Sequence, residues 1–129
     1  MVDQGKQELY SRARSFRYAL DGWSFVLRTQ HNAWIHAIIS LAVVALGLWL
    51  GISRVEWSVL LLAMMVVWMA EFFNTALEAV VDMTHPEIHP LAKVAKDVSA
   101  ASVLVGAAGS VVIGLLILGA PLLERLEAL

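Results

Sequence analysis

From Trp57 to Ala70 the chain carries no charge, no proline and no glycine, and from Glu71 to Asp82 the same unbroken run becomes polar on one side. Nothing in it stops a helix, so one helix can pass through both parts. Glu71, Asn74, Glu78 and Asp82 follow one another at steps of three, four and four. At about 100° per residue they fall near 0°, 300°, 340° and 20°, a strip about 80° wide with Thr75 at its edge. Three carboxylates and an amide at the end of an apolar helix are costly to place in lipid. An ionisable group in such a position marks a functional site by default. The helix from Trp57 to Glu71 covers about 21 Å, which sets Glu71 where head groups and water begin. Glu78 and Asp82 then lie on the aqueous side.

The remainder of the chain agrees with a membrane setting. Of 129 residues, 60% are hydrophobic and only 16% charged, far fewer charges than a soluble domain of this size carries. The expected class is an all-α integral membrane protein with a single domain over residues 1–129. Cysteine is absent, which excludes disulfides and thiolate metal sites. The net charge of −2 and the lack of a basic block argue against a nucleic-acid partner. The first thirty residues are polar, with no apolar core or small-residue cleavage site, so no cleavable signal peptide is expected.

Residues 6–28 alternate Leu9, Phe16, Leu20, Trp23 and Leu27 with Arg12, Arg14, Arg17 and Asp21. This spacing predicts an amphipathic helix lying in the membrane interface. Thr29 to Asn32 form a polar break, and Thr29 or Asn32 can cap the next helix. A first span is expected over 34–50, with Trp34 and Trp49 at its ends as an aromatic belt. His36, just inside, reads as a hydrogen-bonded interfacial residue rather than a ligand. The second membrane helix is expected over 57–82. A loop with two prolines and two histidines, residues 83–90, leads to a third helix over 91–120. Ala95, Ser99, Ser102, Gly106 and Gly109 place small residues along this last helix, a seam that lets helices approach closely. Seven of the nine Lys and Arg residues fall on the side of the N-terminus and the His-Pro loop, which puts that side in the cytoplasm.

Carboxylates without cysteine suit a hard, oxygen-preferring cation such as Mg²⁺, held by one or two carboxylates and by substrate phosphates. Lys96 is suited to phosphate charge as a point cation. Glu71 is placed to take a proton from a hydroxyl at head-group level. These parts fit phosphoryl transfer to a membrane alcohol. Two other readings fit the same residues. The stripe can pair with Lys93, Lys96 or the arginines of the first helix as a packing device, or it can line a small oligomeric proton or ion pathway. No phosphate-binding glycine loop or dinucleotide fingerprint is present.

The run Glu71-Phe72-Phe73-Asn74-Thr75-Ala76-Leu77-Glu78-Ala79-Val80-Val81-Asp82, with His89-Pro90-Leu91-Ala92-Lys93-Val94-Ala95-Lys96-Asp97, resembles the signature of the small prokaryotic diacylglycerol kinases. The likeness extends back through Phe16 to Gly22 and Thr29 to Asn32. The His-Pro-Leu-Ala-Lys stretch is more similar to the undecaprenol kinase branch. The resemblance implies a homotrimer in the bacterial inner membrane, each protomer with three membrane helices and a surface helix. It implies composite active sites between subunits, and Mg-ATP giving its γ-phosphate to a lipid hydroxyl, undecaprenol first and diacylglycerol second. By position, Glu71 is the catalytic base with Asn74 in support, and Glu78 is a metal ligand. Tyr18, Gln30, Glu78, Asp82, Glu87, His89, Lys96 and Asp97 fall on the nucleotide side, with Lys96 on the phosphates. The family often has a glutamate at the second metal position, where this chain has Gln30, an amide that brings no charge. At Ala100 the Gram-negative branch tends to have serine, a position that bears on lipid choice.

Overall fold

The computed structural model describes residues 4–84 and 89–128, with side chains from Arg12 on except residue 13. The described residues form four helices and no strand: α1 (Gln4–Thr29), α2 (His31–Leu50), α3 (Arg54–Thr84) and α4 (Pro90–Glu127). By length and composition α2, α3 and α4 can each cross a membrane. The chain divides into two compact units, one ending at His31 and one beginning at Asn32.

The first unit is essentially α1. Its end differs from the expected polar break. Thr29 does not cap the next helix; its hydroxyl donates back to the Phe25 carbonyl at 2.8 Å. The Gln30 amide still donates to the Val26 carbonyl at 2.9 Å. Gln30 is therefore the single non-helical residue between α1 and α2. Phe16, Tyr18, Leu20, Trp23 and Phe25 are all exposed.

In the second unit α3 and α4 pack against each other along their length. The buried residues of α3 are Leu60, Ala63, Val67, Glu71, Asn74 and Thr75. Their steps of three and four make one face, apolar at first and polar after Val67. On α4, Val103 and Leu118 are buried, with Ser99, Gly106 and Ser110 half-buried beside them. The Ser110 hydroxyl donates to the Ala63 carbonyl at 3.0 Å, a bond directly between the helices. The expected small-residue seam is only partly used. Ala95, Ser99 and Gly106 are half-buried, whereas Ser102 and Gly109 are exposed. The face that α4 turns to α3 is centred on Ser99, Val103, Gly106 and Ser110, which leaves Ser102 and Gly109 beyond one edge.

α2 joins the pair through side chains. The Trp68 indole nitrogen donates to Ser40 at 3.3 Å. A Cβ at Gly47 would lie 3.0 Å from the Trp57 ring, so the missing side chain is what lets the indole rest on the α2 backbone. Arg125 stands 5.7 Å from the centre of the Trp49 ring, a cation–π contact that brings the C-terminal ends of α2 and α4 together. α2 and α4 therefore run the same way, with α3 antiparallel.

The helix ends obey local rules. α2 stops at Gly51, whose φ of 69° is left-handed, the conformation that glycine adopts without strain. α3 opens with a capping box: the Ser53 amide donates to the Glu56 carboxylate at 2.7 Å, and the Glu56 amide to the Ser53 hydroxyl at 3.3 Å. α4 opens on Pro90, and the His89 Nδ1 accepts from the Leu91 amide at 3.2 Å. α4 does not end at Pro121 but continues to Glu127. A proline removes only one backbone bond, and apolar membrane helices accommodate that loss.

Most of the apolar surface is not covered within the chain. In the most apolar window of α2 and of α4, 11% is buried, and in that of α3, 33%. Lipid or other copies of the chain must cover the rest.

Candidate active site

The site grows out of the point where the buried face of α3 changes character. Glu71 is 1% exposed, and it is the largest fully buried side chain among the described residues. Among the described residues neither of its carboxylate oxygens has a hydrogen-bond partner. Buried polar groups are nearly always satisfied, and an exception requires a reason. The Glu71 backbone is well held, since the Thr75 hydroxyl donates to its carbonyl at 2.9 Å. A fixed main chain thus carries an unpartnered acid.

Glu71 and Asn74 open onto a cavity of about 240 Å³ walled by Asn32, Ile35 and His36 of α2 and by Ala100, Val103, Leu104 and Ala107 of α4. A second cavity of about 410 Å³ lies among the apolar parts of the same three helices. Ile35, His36 and Ala107 line both. A head group in the first cavity can therefore lie next to an apolar crevice.

Around Glu71 the polar side chains are tied to one another. The Ser99 hydroxyl donates to the Asn74 side-chain oxygen at 2.6 Å. The Asn74 amide donates to Glu78 at 3.4 Å. Lys96, one turn before Ser99, is paired with Asp82 at 2.8 Å. The Asp82–Lys96 bond holds the Lys96 ammonium at the outer end of the stripe. The stripe is graded as its sequence implies: Glu71 and Asn74 buried, Glu78 half-buried, Asp82 exposed.

Of the remaining expected residues, Ala100 lines the Glu71 cavity. Asp97 is paired with Lys93, one turn earlier on the same helix. His89 caps α4. Tyr18 and Gln30 belong to the N-terminal unit. Glu87 lies outside the described residues. Sequence reasoning did not foresee that His36 and Asn32 would meet Glu71 in one cavity. The His36 Nε2 stands 3.9 Å from the Glu71 carboxylate, and no spacing signal links residues on separate helices.

Among the described residues no three His, Cys, Asp or Glu side chains form a metal cage. The side chains at the stripe, Asn74, Glu78 and Asp82, offer oxygen donors, which suit Mg²⁺, a cation that keeps waters and takes few protein ligands beside substrate phosphates. Glu78, half-buried next to the Asn74 amide, is a carboxylate suited to such a role.

Comparison with known proteins places the chain among kinases. Residues 17–118 match the family model described as prokaryotic diacylglycerol kinase. A diacylglycerol kinase of Synechocystis sp. is 42% identical over 111 residues, 85% of this chain and 63% of that protein. An undecaprenol kinase of Bacillus subtilis is 38% identical over 112 residues, 87% of this chain and 91% of that protein. A diacylglycerol kinase of Escherichia coli is 34% identical over 80 residues, 57% of this chain and 66% of that protein. The chain thus spans less than two thirds of the Synechocystis relative and nearly all of the Bacillus one.

Proposed function

Because the chain belongs to the prokaryotic diacylglycerol kinase family, we propose that it transfers the γ-phosphate of ATP to the hydroxyl of a membrane lipid alcohol, undecaprenol in first place. The observation that carries this reading is the buried, unpartnered carboxylate of Glu71 facing a cavity. Such a group is poorly suited to packing, and it is suited to accept a proton from a hydroxyl brought to it.

In this reading the lipid enters sideways, from the cytoplasmic leaflet, with its hydroxyl in the cavity lined by Asn32 and Ala100. Glu71 takes the hydroxyl proton. The oxygen attacks the γ-phosphorus in line, and the bond to the β-phosphate oxygen breaks to release ADP. Asn74, held by Ser99, fixes the reacting end of α3. Lys96 exchanges Asp82 for phosphate oxygens and carries part of the transferred charge. Tyr18, Gln30, Asp82, Glu87, His89 and Asp97 complete the nucleotide side. Glu78 and Gln30 would hold Mg²⁺, which when bound supplies charge neutralisation at the phosphates.

The working unit is a homotrimer with α1 as an amphipathic helix on the membrane surface and the N-terminus in the cytoplasm. Two observations support it. The apolar faces of α2, α3 and α4 are largely uncovered within one chain. The apolar residues Phe16, Leu20 and Trp23 of α1 are exposed and stand at helical spacing.

Undecaprenol is placed first because the Bacillus undecaprenol kinase matches over 91% of its own length. Diacylglycerol is the second reading, favoured by the Synechocystis relative at 42% identity. Purified protein is given labelled ATP and Mg²⁺ with undecaprenol or with diacylglycerol. Label is expected in undecaprenyl phosphate, and a chelator should stop its appearance. Preferential labelling of phosphatidic acid would exchange the two substrates. No labelled lipid with either alcohol would remove the kinase reading.

A further inference from the structure

Glu71 lacks a partner, but it is not isolated. On α2 the His36 imidazole lines both cavities, and its Nε2 is 3.9 Å from the Glu71 Oε2. The ring is held in place from the other side. It stands edge-on to Trp68, with centroids 6.4 Å apart and planes at 66°, and the Trp68 indole is anchored by its bond to Ser40. Asn32 shares the cavity, while the polar neighbours of Glu71 on its own helix are committed elsewhere. Asn74 donates to Glu78 and accepts from Ser99, and the Thr75 hydroxyl serves the Glu71 carbonyl. His36 is the basic group that the structure brings to the buried acid.

We propose that His36 is a positioning residue for Glu71: its Nε2–H donates to Oε2 when the site closes on substrate, leaving Oε1 free for the lipid hydroxyl. The inference rests on the kinase reading above. The present separation is too long for a hydrogen bond, and a shift of about 1 Å would make one; catalytic hydrogen bonds commonly tighten only in the loaded complex. The effect is twofold. A carboxylate that receives one hydrogen bond has a fixed orientation. Donation to Oε2 also favours the ionised acid, the form that can accept a proton. His36 does not touch the phosphate and takes no proton from the lipid.

Three forms of the full-length protein test this: wild type, His36→Leu and His36→Gln. The glutamine keeps an N–H donor without a titratable ring. His36→Leu is expected to lower kcat by about 100-fold, the lower end of what correct proton transfer contributes, with KM for ATP unchanged. His36→Gln should recover most of that loss. Infrared difference spectra against Glu71→Gln give a second readout that requires no turnover. The Glu71 signal should be a carboxylate in the wild type and shift toward the protonated acid in His36→Leu. A His36→Leu protein with wild-type kcat and an unchanged Glu71 band overturns the proposal. So does a His36→Gln protein as slow as the leucine variant. If the leucine variant does not fold, the glutamine variant and the wild-type band decide: near-normal turnover with an ionised Glu71 supports the donor role, and a protonated Glu71 in the wild type overturns it. A wild type that labels no lipid fails the kinase reading instead, and the Glu71 band still reports on the pair.

Discussion

In the proposed reaction, Glu71 and its neighbours separate chemistry from binding at the level of single residues. Glu71 lies in the cavity, while Lys96 and Asp82 meet at the outer end of the stripe. Glu71→Gln keeps the shape and removes the proposed base. It should lower kcat by at least about 100-fold while nucleotide binding, followed by titration with a fluorescent ATP analogue, stays near wild type. Near-normal turnover would remove Glu71 from its assigned role. Gln30→Glu adds the charge that the family resemblance implies at that position. Half-maximal activity should then be reached at lower Mg²⁺; an unchanged Mg²⁺ dependence would place Gln30 away from the metal. The periodicity of the sequence was enough to find Glu71, Asn74, Glu78 and Asp82, because one helix carries them all. It was silent on the approach of His36 to Glu71 and on the Asn74–Ser99 hydrogen bond, which involve residues on different helices. A histidine such as His36 has no local pattern that distinguishes an interfacial residue from a neighbour of the base. Ala100 came from resemblance alone, and the structure places it in the cavity wall.

Helix ends and contacts divide between local and tertiary causes. Pro90 and the Ser53–Glu56 box lie within a few consecutive residues and the structure uses both, so the helices open at Arg54 and Pro90 rather than at the expected 57 and 91. The one-residue break at Gln30 and the passage of α4 through Pro121 were not legible. Local propensity favours a longer break at Thr29 to Asn32 and a stop near the proline, whereas the backbone bonds actually formed continue the helices. Gly47 is a close-approach glycine whose importance depends on Trp57. A Cβ there would meet the indole at 3.0 Å and Ile52 at 3.1 Å. Gly47→Val should therefore push Trp57 off α2 and destabilise the join by about 1–3 kcal/mol, the usual scale of overpacking. Thermal unfolding in detergent reports it. Gly109→Val is the control, because a Cβ at Gly109 meets nothing within 4 Å.

Over the whole molecule, three apolar helices expose more surface than one chain can cover. The proposed trimer accounts for that surface, and it predicts shared sites. If the base and the phosphate-binding lysine of one site come from different copies, two inactive variants should complement each other. Glu71→Gln and Lys96→Met proteins, unfolded together and reassembled, should regain lipid phosphorylation that neither shows alone. Activity that stays absent in the mixture, with trimers confirmed by cross-linking, would place each site within a single chain. The membrane class and the order of the helices were legible from the apolar runs and the lack of charge. Assembly was not, because lipid and a second helix select for the same apolar residues.

The acid at the centre of α3 has a practical consequence for anyone trying to toughen this protein. An unsatisfied buried carboxylate is a built-in weakness, and an aliphatic replacement such as Glu71→Leu relieves it. Variants selected solely for heat resistance in detergent should therefore accumulate changes at this position and emerge sturdier but dead, with higher melting temperatures and no phosphorylated lipid. A Glu71→Leu protein that melts below the wild type would show that the acid holds the helices together instead.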